Sequence, residues 1–208
     1  MLTFALSKGR LADKILKMLK QMDLCDIEIS DEDRRLVIEE GQYRFFLAKP
    51  SDVPTFVDNG VADIGVVGKD TILEENRDIT EVLDLGFGKC RMCVCAKVSD
   101  GDSFKYKSNL RVATKYPNIA KSYFDSVHQN CTIIKLNGSV ELGPIVGLSD
   151  VIVDIVESGR TLKENGLAPV LTIHDLSARL IVNNASLKTK YDDISTIIKG
   201  FETLVKEK

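Results

Sequence analysis

Apolar residues recur along the chain in two rhythms, and the alternation between them predicts the fold. Leu2 to Leu6 is a short continuous apolar run, as a buried strand requires, and Leu11, Ile15, Met18, Leu19 and Met22 then fall three or four apart on one helical face. Leu36 to Glu40 and Tyr43 to Ala48 flank Gly41-Gln42, a two-residue turn that fits a hairpin. Val53 to Asn59 suits a short helix stopped by Gly60, and Asp63 to Val67 and Lys89 to Val98 read as strands. Leu110 to Thr114 predicts a strand, Pro117 to Val127 a helix with proline in its first turn, and Cys131 to Leu136 a strand. Ser139 to Ile145 reads as helical, and Asp150 to Ile155, Pro169 to Ile173 and Ala178 to Val182 as strands. Ile194, Ile197, Ile198, Phe201 and Leu204 stripe the last helix. This strand–helix rhythm argues for α/β layers around mainly parallel sheets. The polar stretch Ser99 to Ser108 is the candidate lobe boundary or exposed loop.

At 208 residues the chain forms one large domain or two small ones. The apolar run at its start meets Lys8 and Arg10 at once, too soon for a signal peptide or membrane span. The five cysteines are odd in number, and Cys90-Arg91-Met92-Cys93 lacks a second pair, so they read as thiols of a reducing cytoplasm. A net charge of −3 repels nucleic acid and other anions, so local cations and oriented amides must hold any anionic ligand.

One segment carries chemistry by its order of residues. Val151 to Ile155 is a strand with Asp154 near its end, and Glu157-Ser158-Gly159-Arg160-Thr161-Leu162 opens the next helix. Such a turn exposes unpaired N–H groups, Gly159 permits close approach, and Ser158 and Thr161 add hydroxyls, which together can cradle a phosphate. Asp154 can accept hydrogen bonds from ribose hydroxyls. A tight turn capped by Ser158 fits the same spacing, which leaves both open. A Walker A loop is excluded, because Asp70 follows Gly68-Lys69.

The order of an acid-ended strand and Ser-Gly-x-Thr resembles the diphosphate-sugar loop of phosphoribosyltransferases, but Val153 stands where nucleobase-salvage members carry a second acid. Upstream lie Asn137-Gly138-Ser139-Val140-Glu141-Leu142-Gly143-Pro144 and Gly147-Leu148-Ser149-Asp150. With Asp154 to Leu162 they closely resemble the signature of the ATP phosphoribosyltransferases, the first enzymes of histidine biosynthesis. Three further blocks agree: Ala5 to Leu11, Asp52 through Gly65 to Asp70, and Arg111 to Asn118. Ser7 stands where the family commonly has proline.

The resemblance implies the short-form catalytic subunit, which works in a hetero-oligomer with a regulatory subunit similar to histidyl-tRNA synthetase. It implies two periplasmic-binding-protein-like lobes with the active site in the interlobe cleft, lobe I at residues 1–92 plus 172–208 and lobe II at 93–171. The reaction implied joins N1 of ATP to C1 of 5-phosphoribosyl 1-diphosphate and releases diphosphate. Asp154, Glu157, Ser158, Gly159, Arg160 and Thr161 would hold the phosphoribosyl diphosphate. Lys8, Gly9, Arg10, Asp70 and Glu141 would hold ATP, and Arg10 with Arg34 or Arg35 would serve catalysis as cations toward the leaving diphosphate. Mg²⁺ would arrive on the substrate phosphates rather than in a protein cage. His128 and His174 stand alone and read as structural. A non-catalytic solute-binding module is the rival from another class.

Overall fold

Every residue of β1 (Leu2–Ser7) is buried, as a strand covered on both faces demands. The computed structural model describes residues 1–27, 35–101 and 103–207. Around β1 lie β2 (Val37–Glu40), β3 (Tyr43–Ala48), β4 (Ile64–Gly68), β5 (Thr80–Asp84) and, from late in the chain, β11 (Ala178–Val182), in the order β2-β3-β1-β4-β11-β5. Phe4 and Leu6 pack with Ile15 and Leu19 of α1 (Arg10–Gln21) and with Ile194, Ile197 and Phe201 of α8 (Tyr191–Lys206). Ala5 faces the other way, toward Val53 and Val57 of α2 (Val53–Asp58) and Ile72 of α3 (Lys69–Glu75). One six-stranded sheet between two helical layers results among the described residues.

A buried carboxylate staples this unit. Asp63 accepts from the Thr3 N–H at 2.8 Å, Ser186 Oγ at 2.7 Å and Lys190 Nζ at 2.8 Å, joining the start of β1 to α7 (Asn184–Thr189) and the start of α8. Burial alone would push its pKa up, but the hydrogen bonds from Lys190, Ser186 and Thr3 outweigh it and hold the group below its ordinary value.

The second sheet contains β6 (Cys90–Lys97), β7 (Leu110–Thr114), β8 (Cys131–Lys135), β9 (Val151–Val156) and β10 (Leu167–Leu176), in the order β10-β6-β9-β7-β8. Cys93, Cys95, Ala113 and Ile152 face Val140, Leu162 and Leu167 in its core. Helices α4 (Pro117–Ser126), α5 (Leu142–Ile145) and α6 (Arg160–Glu164) connect its parallel strands or follow them.

The sheets are mixed rather than mainly parallel. β3, β1 and β4 run parallel, as do β8, β7 and β9, but β2, β11, β5, β6 and β10 each have an antiparallel neighbour. Burial pattern reports how many faces of a strand are covered and is silent on direction, so continuous apolar runs do not reveal β11 or β6 as return strands. The chain divides into Met1–Gly88 with Ser177–Lys208 and Lys89–Leu176. Cuts at 92/93 and 171/172 would fall inside one ladder, in which Met92 faces His174 and Cys93 faces Thr172. Ser99 to Ser108 is a connection within the second unit, not a boundary. The helix expected from Ser139 begins only at Leu142, because Ser139 has φ 46°. Sequence reasoning did not assign α3, β5 and α7, short elements with no full turn of apolar period.

Candidate functional site

Parallel strands bring their carboxyl ends to one edge of a sheet, and the loops that follow gather there. In the first unit that edge carries Ser7 to Arg10 after β1, Lys49 after β3, and Gly68 to Asp70 after β4. Because β2 is antiparallel to β3, with Val37 opposite Phe46, the start of β2 and Arg35 just before it lie at this edge too. Gly9 has φ 96° and ψ −152°, a conformation side-chain-bearing residues avoid, so the chain can turn directly from strand into α1. Lys8 and Arg10 are exposed beside it. The structure thus brings Lys8, Gly9, Arg10, Arg35 and Asp70 to one edge, whereas Arg34 lies outside the described residues.

In the second unit the carboxyl ends of β9, β7 and β8 deliver three loops to one edge: Glu157 to Gly159, Lys115-Tyr116, and Leu136 to Glu141. Gly159 adopts φ 72° and ψ 6° and is the N-cap of α6. It opens the first turn of N–H groups, and Ser158 Oγ accepts from the Arg160 N–H at 3.4 Å. Thr114 Oγ1 donates to the Val153 carbonyl at 2.7 Å and accepts from the Tyr116 N–H at 2.8 Å, which fixes the β7 loop against β9. Glu157, Ser158 and Thr161 are exposed. Arg160 is exposed as well and its Nε donates to Glu164 at 2.8 Å along its own helix, so that cation is partly engaged.

Asp154 stands at the centre of this edge. It is half-buried, faces Cys93 across the ladder, and its Oδ1 accepts from the Ile155 N–H at 2.8 Å. Burial raises its pKa to about 6, with the negative charge of Glu141 adding to the rise, while the Ile155 N–H and Lys115 oppose it. Glu141 thus lies in the second unit, among the loops at the Asp154 edge. Lys115, within the Arg111 to Asn118 block, is a further candidate to which residue type alone assigns no role. Its signal is its place at the end of the strand next to β9. Among the described residues no group of three or more His, Cys, Asp or Glu side chains could hold a metal ion by itself. His128 has φ 56° just past the end of α4, and His174 lies in β10 opposite Met92, which itself pairs with Ile155 of β9.

Comparison with known proteins finds relatives along the whole chain. The family model described as ATP phosphoribosyltransferase matches residues 49–203. The ATP phosphoribosyltransferase of Lachnospira eligens is 53% identical, over 98% of this chain and 96% of that protein. That of Caldicellulosiruptor bescii is 53% identical over 100% of both. In solved structures, an ATP phosphoribosyl transferase (HisG:HisZ) complex from Thermotoga maritima contains a chain 35% identical with a TM-score of 0.87, covering 100% of each chain. A substrate-binding protein of an amino acid ABC transporter from Streptococcus pneumoniae shares the fold, with a TM-score of 0.59 at 14% identity over 99% of this chain and 89% of that one. The binding-protein likeness is one of architecture, and the full-length identity is to transferases. The chain belongs to the ATP phosphoribosyltransferase family and is a phosphoribosyl-transferring enzyme of the first step of histidine biosynthesis.

Proposed function

We propose that the two loop-bearing edges divide the family's reaction between them, the second unit holding 5-phosphoribosyl 1-diphosphate and the first contributing Lys8, Gly9, Arg10 and Asp70 to ATP. The observation that carries this reading is the convergence of the Asp154, Lys115 and Glu141 loops at the carboxyl ends of β9, β7 and β8. The first-turn N–H groups behind Gly159, with the Ser158 and Thr161 hydroxyls, receive the sugar phosphate. Each hydrogen bond to such a charged group contributes roughly 1.5–3 kcal/mol. Asp154 accepts from the ribose hydroxyls, and Glu157 borders the same loop. Lys115 supplies the cation that Arg160, drawn toward Glu164, does not fully offer.

The bond between C1 and the diphosphate oxygen breaks with its electron pair leaving on diphosphate, and N1 of ATP forms the new bond to C1 through an oxocarbenium-like centre. N1 already bears a lone pair, so no strong base is needed and the protein's task is to position both reactants and stabilise charge. Arg10 and Arg35, at the first unit's edge, are the candidate cations for the charge that develops on the leaving group, and Arg34, next to Arg35 in sequence, is an equal candidate. The family's reaction requires a divalent cation. Asp154 and Glu141, two acids at one edge, fit its charge, and Mg²⁺ carried on the phosphates would neutralise the diphosphate as it leaves.

A regulatory subunit similar to histidyl-tRNA synthetase completes a hetero-oligomer, supported by the two-component Thermotoga maritima relative. A cytoplasmic setting fits five cysteines that are all reduced thiols, and among the described residues no helix is long and apolar enough to cross a membrane. The test combines the chain, ATP, phosphoribosyl diphosphate and Mg²⁺, with and without the regulatory subunit, and follows phosphoribosyl-ATP. Absence of product in both mixtures, with both substrates bound, would favour a solute-binding module instead.

A further inference from the structure

Lys69 lies between Gly68 and Asp70, where a lysine at a nucleotide site is naturally read as a phosphate ligand. Its contacts point elsewhere. Its N–H donates to the Ser177 carbonyl at 2.9 Å, and its ammonium is bound by Glu81 Oε2 on β5, across the intervening β11. The other oxygen of Glu81 meets Arg179 Nη1 at 3.2 Å, and Arg179 Nη2 reaches Asp84 at 3.0 Å. Asp84 Oδ1 in turn accepts from Ser177 Oγ at 2.7 Å and from the Gly86 N–H at 2.9 Å. Lys69, Glu81 and Arg179 expose 27%, 25% and 20% of their side chains, so solvent screens these pairs less than surface pairs. Arg179 Nε is buried with no hydrogen-bond partner, leaving the two carboxylates at its outer nitrogens to fix the guanidinium.

The linked charges run from the corner between β4 and α3, through edge strand β5, to Ser177, whose carbonyl holds that same corner. The ring is closed: Lys69 is gripped at its backbone by the residue that the far end of the charge chain also grips. Asp70 is the next residue along. We propose that Glu81 is a positioning residue for the acceptor substrate: it touches no reactant, holds Lys69 away from phosphate, and through Lys69 sets the placement of Asp70. This rests on the reading that Asp70 contacts ATP. Glu81 also makes the Gly68-Lys69-Asp70 block a structural corner carrying one acid for the acceptor rather than a cationic phosphate grip.

The experiment measures both KM values for Glu81→Gln in the full chain with its regulatory subunit. Glutamine keeps the size and one acceptor but loses the charge that serves two cations. The KM for ATP should rise roughly five- to tenfold, in line with coupling inside a charge network, while the KM for phosphoribosyl diphosphate stays put. Glu81→Asp, which retains the charge on a shorter stem, should recover part of the loss and covers the case in which the first variant folds poorly. A fall in the KM for ATP would mean that the released Lys69 is a phosphate ligand, and equal change in both KM values or in neither would mean a merely structural ion pair. Either result overturns the proposal. Lys69→Met combined with Glu81→Gln should cost no more than either alone, and additive losses would also overturn it. Asp70→Asn separates the two readings: unchanged ATP affinity there removes Asp70 from the acceptor site, whatever Glu81 does.

Discussion

Asp154→Asn should stabilise the protein while damaging it as an enzyme, and the two effects have one cause. The folded chain raises the Asp154 pKa from 3.8 to about 6, chiefly by burial and secondarily through Glu141. A rise of about two units corresponds to roughly 3 kcal/mol at ~1.36 kcal/mol per unit, and this is the burden of keeping the carboxylate ionised at neutral pH without substrate. Asparagine lifts the charge and still offers Oδ1 to the Ile155 N–H, now at 2.8 Å. It also buries a polar amide, so the expected gain is about 1.5–3 kcal/mol. For a chain of this size that is roughly 3–12 °C in thermal midpoint.

The sign of the pH dependence is set by the direction of the shift. Between the unfolded value of 3.8 and the folded value of about 6 the folded state binds more protons, so the wild-type chain loses stability as pH rises through that window. The mutant lacks this loss. The difference in midpoint, followed by calorimetry without substrates, should be absent near pH 4, open between about pH 4 and 6, and level off above pH 7. Affinity for phosphoribosyl diphosphate should meanwhile fall by roughly tenfold or more, for the loss of a charged acceptor. A midpoint difference that shrinks as pH rises, or a mutant that binds the substrate as well as wild type does, would refute the assignment of Asp154 as a strained, substrate-compensated acid.

Asp63 should show the opposite pH signature. Asp63→Asn leaves Lys190 without its partner and should destabilise by roughly 3 kcal/mol at pH 7, near the lower end for a buried pair because Lys190 is 38% exposed. With its folded pKa lowered, the wild-type advantage should be full above pH 4 and vanish on acidification through the folded value, as urea titrations at several pH values can check. Gly159→Val tests the phosphate loop: a Cβ there would meet only Val156 Cγ1, at 3.7 Å, so the cost comes from forcing a β-branched residue to φ 72° rather than from crowding. Strain of about 1–3 kcal/mol should raise the Kd for phosphoribosyl diphosphate roughly tenfold by calorimetric titration, and unchanged affinity in a folded variant would place the cradle elsewhere.

The chain's local chemistry was legible where the physics is local. Apolar period gave β1, α1 and α8, the Gly41-Gln42 turn gave the β2–β3 hairpin, and the Gly159 turn was readable from residue type because glycine adopts left-handed backbone without penalty. The four blocks identified the family before any coordinates. What tertiary structure alone decided is which blocks meet. Strand direction leaves no trace in burial pattern, so β11, β6 and β10 emerged as antiparallel only when paired. Loop assignment follows direction, and the antiparallel pairing of β2 with β3 brought Arg35 to the edge of Lys8. The raised pKa of Asp154 likewise depends on burial and on a charge 13 positions away in the sequence. Residue type and order along the chain mark the candidates for binding phosphate, ribose and cation. Pairing across strands distant in sequence determined which of them share an edge, because electrostatic energy falls with distance in space and is indifferent to separation along the chain.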